Sequence, residues 1–191
     1  MKDLPLFPLA TVLFPGGLLP LRLFEQRYLE MAKACLRDAA LFGVCRIREG
    51  AEVGAPATPE AVGCLARIVQ WDMPQFGLLQ VVVQGTQRFR IAERRVQADG
   101  LARATVELLP EEADAPVPER LSNCRRLLER IAAQHGERIF ASPFHFDSSA
   151  WVGARLAEVL PLAGPDKQRL LEMDGLPRLE ALGRLILQEA R

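Results

Sequence analysis

LPLFPLATVLFPGGLLPLRLFEQRY, residues 4–28, holds four prolines and two glycines among closely spaced Leu and Phe. Each proline fixes φ and removes a backbone donor, so this stretch cannot be helical. Leu4–Leu6, Thr11–Phe14 and Leu18–Leu23 read as short extended segments broken by Pro and Gly turns. From Glu25 the period changes. Tyr28, Leu29, Ala32, Cys35 and Leu36 recur at helical spacing and predict one amphipathic helix over 25–38, with Glu25 suited to its positive end.

Working outward, 41–48 reads as a strand that ends in Glu49-Gly50, followed by a Pro/Ala/Gly loop through Pro59. Segments 62–70 and 78–84 form a hairpin around a turn at 72–77, and 88–92 and 102–109 add strands rich in Val, Ile and Phe. Composition then shifts at Pro110-Glu-Glu-Ala-Asp-Ala-Pro-Val-Pro118, an acidic, proline-rich link whose Glu111-Glu112 reads as a solvated charge pair. The remainder is helical. Leu121, Cys124, Leu127, Leu128 and Ile131 form one stripe, and Val152, Leu156, Val159 and Leu160 another. Asp147, Ser148 and Ser149 are candidate caps for the second. Gly164-Pro165-Asp166 opens a third helix, Gly175 stops it, and 177–188 forms the last. The expected fold is α+β: a β-rich subdomain over 1–109 containing one helix, a linker over 110–118, and an α-helical bundle over 119–191.

With 191 residues, 49% of them hydrophobic and 25% charged, the chain can bury a substantial core. Lys+Arg and Asp+Glu both number 24, so no net field gathers nucleic acid or an anionic membrane from a distance. No window is long and apolar enough to span a bilayer. Lys2 and Asp3 precede a proline-broken run rather than the continuous apolar stretch of a secretory leader. Cys35, Cys45, Cys64 and Cys124 are widely spaced in apolar settings and read as buried free thiols, which places the protein in the cytoplasm.

Several motifs taken together resemble the amino-terminal (LON, or substrate-binding) domain of Lon-type ATP-dependent proteases. They are the Pro-rich opening, Phe42-Gly-Val-Cys-Arg-Ile, the hairpin around Ile68 and Gly77–Val83, Gly85-x-x-Arg88-Phe-Arg-Ile, and Lys167-Gln-x-x-Leu-Leu-Glu172 with Arg178-Leu-x-x-Leu182. The resemblance covers almost the whole chain. It implies a β-rich subdomain like PUA-type pseudo-barrels followed by helices, and a role in recognising exposed apolar segments of substrate polypeptides. It further implies contact with a second copy as a homodimer, or with a full-length Lon-type protease. The family's motor and protease have no counterpart: there is no G-x-x-x-x-G-K-[ST] phosphate loop, and none of the 14 glycines precedes a lysine.

No catalytic constellation is legible, and no cofactor or metal is expected. His135, before Gly136 at an expected helix end, and His145 lack ligand spacing and a nucleophile to serve. Glu25, Arg27 and Arg88 read first as local structural pairing and second as a polar rim to a groove. Gly16-Gly17 reads as close backbone approach or positive φ. Trp71, Met73 and Phe76 stand apart, because a hairpin tip this apolar is costly in water, roughly 1.5–3 kcal/mol for each Met or Phe side chain. The balance tilts slightly toward a tip folded back on the body; left exposed, the three form a contact patch. Phe14, Leu18 and Leu19 are the second candidate surface. The expected function is therefore a non-enzymatic module that binds unfolded or apolar polypeptides. RNA binding through the PUA-like part, with Arg88, Arg90, Arg94 and Arg95 as a basic strip, is the alternative.

Overall fold

A computed structural model of the chain describes residues 1–189. It divides into two compact units, Met1–Pro110 and a helical unit from Glu111 onward. The first contains β1 (Leu4–Leu9), β2 (Leu18–Leu23), α1 (Gln26–Asp38), β3 (Phe42–Glu49), β4 (Thr58–Gln75), β5 (Leu78–Val96) and β6 (Ala102–Leu108). The second contains α2 (Ser122–Ile139), α3 (Ser149–Val159), α4 (Gly164–Glu172) and α5 (Gly175–Glu189), entered through a single tight turn at Glu119–Leu121. The α+β fold expected from the sequence is the one observed. None of the described helices is long and apolar enough to cross a membrane.

The sheet closes on itself because β5 is long enough to serve two neighbours. β1 pairs in parallel with β3, β3 with β4, β4 with β5, the second half of β5 with β6, and β6 with β1. Five strands thus form a ring, which removes their edges. β2 stays outside it, paired only with the first half of β5 from Leu18↔Gln84 to Leu23↔Leu79.

Phe89 fills one core with Leu4, Leu6, Leu65 and Val106. The Phe42-Gly43 motif now has a physical reason: a Cβ at Gly43 would stand 2.6 Å from the Phe89 ring, and one at Gly63 2.8 Å from it. On the other side α1 lays Tyr28, Met31, Ala32 and Cys35 against Phe7, Phe42 and Val81. Tyr28 meets Phe7 edge-on at 4.4 Å between centroids, a favourable aromatic geometry.

Four expectations about individual strands and helix ends change. Thr11–Phe14 is not a strand; it is a connection, buried from Val12 onward, whose Phe14 carbonyl accepts from Gly17 N–H at 3.0 Å. The segments read as 78–84 and 88–92 are one strand, because Gly85 carries β5 past the Phe14 loop without a break. Gly175 does not stop a helix but begins α5, where a Cβ would come 2.7 Å from Ala150 of α3. Gly136 likewise lies within α2 rather than at its end, and its bare face admits the Phe144 ring.

Residues of the expected linker are built into the helical unit. Val117 N–H donates to Asp147 O and Ser149 N–H to Ala115 O, both at 2.9 Å. Glu112 is not a solvated charge. Its carboxylate pairs with Arg178, whose side chain is wholly buried. The same guanidinium donates to the Leu170 and Met173 carbonyls at 2.8 and 2.7 Å, closing the end of α4. Ser148 is the N-cap of α3, accepting from Trp151 N–H at 2.9 Å, as its residue type suggested.

Candidate functional site

Beyond Ile68, β4 leaves the body of the first unit and every residue from Val69 to Gln75 is exposed. With the start of β5 it forms a projecting arm that ends in the pair Gln75↔Leu78. Gly77 makes the reversal at φ +81°, a conformation that glycine adopts without a Cβ penalty. Asp72 steadies the approach by accepting from Met73 N–H at 2.8 Å.

The tip does not fold back onto the body. Trp71 is 60% exposed, Met73 45% and Phe76 102%. The slight preference for a packed tip is therefore corrected: the apolar residues sit on strands that have left the core. With Val69 they make an apolar strip held out in solvent. Strips of this kind mark contact sites more often than accidental exposure.

Two grooves flank β2 at the base of the arm. One, of about 530 Å³, lies between β2 and the arm and is lined by Pro20, Arg22, Gln70, Trp71, Gln80 and Val82. The other, of about 360 Å³, is lined by Leu19, Leu21, Phe24, Glu25, Tyr28 and Val53 among others. Trp71 thus belongs to both the strip and the first groove. Sequence reasoning missed Pro20, Arg22, Phe24 and Val82. The signal for the first was present, since a proline inside a strand marks an edge strand.

The second candidate surface divides. Phe14 is fully buried and cannot grip a client, whereas Leu18 and Leu19 are half-buried, with Leu19 packed on the α1 core. The Phe14 loop serves the fold instead. Gly16 N–H donates to Gly85 O at 2.8 Å and Gly85 N–H to Gly17 O at 2.9 Å. A Cβ at Gly85 would stand 2.2 Å from the Phe14 carbonyl oxygen.

Arg27 is structural rather than part of a rim. Its buried guanidinium pairs with Glu25 at 2.9 Å, donates to Gly54 O and Gly100 O, and lies 4.7 Å above the Tyr28 ring. It ties two loops to the start of α1. Burial pushes the Tyr28 hydroxyl above its ordinary pKa, partly offset by Arg27.

The arginines do not form a free basic strip. Arg88 is turned inward, Arg94 donates to Ala57 O at 2.8 Å, and Arg95 pairs with Asp3 at 2.5 Å. Arg90 remains exposed. His135 and His145 are exposed, and His145 meets Trp151 edge-on. Among the described residues no three His, Cys, Asp or Glu side chains are grouped to hold a metal.

Residues 3–188 match the family model of the ATP-dependent protease La (LON) substrate-binding domain. A solved structure, the Lon N-terminal domain protein from Xanthomonas campestris, superposes with a TM-score of 0.79 at 36% identity, covering 95% of this chain and 97% of that one. Lon protease of Anaeromyxobacter dehalogenans is 31% identical over 133 residues, 67% of this chain and 16% of that protein. Protein cereblon of Danio rerio is 31% identical over 115 residues, 58% of this chain and 26% of that protein. The chain therefore spans only 16–26% of the length of these curated relatives.

Proposed function

Because the chain belongs to the LON substrate-binding domain family, we propose that it is a non-catalytic module that binds exposed apolar segments of other polypeptides through its β4–β5 arm. The match is to the substrate-binding domain alone, and in this reading the module acts by binding. The observation that carries the reading is the solvent-held strip of Val69, Trp71, Met73 and Phe76. Removing such side chains from water together with those of a client is a non-directional force, which suits broad rather than sequence-specific recognition.

The rival reading, RNA binding on a PUA-like barrel, needs a basic face. Zero net charge, and the bonds that the exposed Arg94 and Arg95 already make to Ala57 O and Asp3, favour the polypeptide reading. The four buried free cysteines accord with a reducing compartment, and we place the module in the cytoplasm. A second copy of the chain or a Lon-type protease carrying the same domain are partners the arm can serve. Titration of a fluorescent, permanently unfolded polypeptide with the protein tests the reading: saturable binding supports it, and equal indifference to folded and unfolded chains removes it.

A further inference from the structure

Among the described residues β2 pairs with β5 alone, which leaves its other side open, and the direction of its backbone groups can be worked out. Gly85 N–H donates to Gly17 O, so Gly85 faces the β2 side. Alternation along an antiparallel pair then turns Val83, Val81 and Leu79 toward β2, opposite Leu19, Leu21 and Leu23. The backbone groups of Leu18, Pro20 and Arg22 consequently point away from β5, to the open edge. Pro20 fits this parity, since its missing N–H is harmless only on that side. Two donors, at Leu18 and Arg22, and three acceptors, at Leu18, Pro20 and Arg22, are left in strand spacing.

The two grooves lie on opposite faces of this same edge. One shows Pro20, Trp71 and Val82, the other Leu21, Phe24 and Tyr28. An added strand would send alternate side chains into one groove and then the other, because successive strand residues point to opposite faces. The charges nearby are mixed: Arg22 with Asp72 at one groove, and at the other Arg22 again with Glu52 and with Glu25, which is already paired with Arg27. Nothing there concentrates a strongly charged partner, so the complement is an extended segment of alternating apolar residues.

We infer that the client segment binds as an added β-strand on the open edge of β2, hydrogen-bonded to Leu18, Pro20 and Arg22, with its side chains alternating between the two grooves. The inference rests on the polypeptide-binding reading and specifies its geometry. The missing donor at Pro20 breaks the symmetry of the edge, so an added strand has a preferred register rather than a sliding one.

The test is amide hydrogen exchange, read by NMR, with an alternating Val–Thr peptide of about eight residues, enough to span the edge. Exchange at Leu18 and Arg22 is expected to slow at least about tenfold at saturation. Arg22→Pro removes an outward donor while sparing the ladder to β5. It is expected to weaken the peptide at least about tenfold relative to Arg22→Ala, which loses the same groove-lining side chain but keeps the N–H. If Arg22→Pro fails to fold, the exchange measurement on the unaltered protein decides alone. Peptide bound with exchange at Leu18 and Arg22 unchanged would overturn strand addition and leave polypeptide binding standing. Failure of both the peptide and an unfolded polypeptide to bind would overturn both. Protection of the two amides in the peptide-free protein, growing with its concentration, would overturn the proposed occupant in favour of a second copy.

Discussion

Arg178 and Glu112, 66 residues apart in sequence, form a two-pronged ion pair at 2.9 and 2.5 Å inside the helical unit. Together with the Leu170 and Met173 carbonyls, the carboxylate gives the buried guanidinium fixed acceptors, which a charge taken out of water requires. Removing one partner leaves the other charge buried and uncompensated. Glu112→Ala is therefore expected to destabilise the helical unit by about 3–5 kcal/mol. The exposed neighbour supplies the control, with Glu111→Ala changing stability by less than about 0.5 kcal/mol. Denaturant unfolding followed by far-UV circular dichroism checks both.

Gly85 holds the Phe14 loop against β5 where the strand passes from one neighbour to the next. A methyl group there has to displace backbone rather than a flexible side chain, and two hydrogen bonds go with it. Gly85→Ala is expected to cost about 3 kcal/mol or more, seen as a lowered unfolding midpoint or loss of soluble protein. An unfolding midpoint equal to that of the unaltered protein would show that the loop is free to move away.

These two sites show how far the sequence could be read. The opening stretch carried its meaning locally: proline density excluded helix, and the switch to helical spacing at Glu25 located α1 to within a residue. Strand content and the four-helix carboxyl half were legible for the same reason. What failed depended on contacts between distant residues. Glu112 read as solvated because acidic, proline-rich stretches usually are, and only the fold brings Arg178 to it. Gly175 read as a helix stop, yet its bareness answers to Ala150 across the packed helices. The arm was misjudged because apolar residues were assumed to face a core, whereas β4 and β5 run on together past the edge of theirs.

All four cysteines are buried and free. Burial also raises the thiol pKa values of Cys35, Cys45 and Cys124, disfavouring the reactive thiolate. A thiol-colouring disulfide reagent at neutral pH should leave the folded protein unlabelled and react with all four thiols once it is denatured. Prompt reaction of even one thiol in the native protein would place it on a mobile or open segment.

Trp71 and Trp151 sit in contrasting surroundings, one in solvent on the arm and the other among Phe140, Phe144 and Phe146. In a Trp151→Phe variant, the remaining emission should lie toward the red and be readily quenched by acrylamide. A client covering the arm should shift it to the blue and shield it. Emission that begins blue and resists quenching would mean that Trp71 is packed.

The most direct test of the account is fluorescence anisotropy of a labelled, permanently unfolded polypeptide, titrated with the protein and with a Trp71→Ser/Phe76→Ser variant. Both side chains are exposed, so the double change should leave the unfolding midpoint almost unmoved while weakening binding at least about tenfold, the loss of two apolar anchors. Saturable binding by the unaltered protein, lost in a variant that still folds, is the predicted result. Binding that survives the double change intact would contradict the assignment of function to the arm.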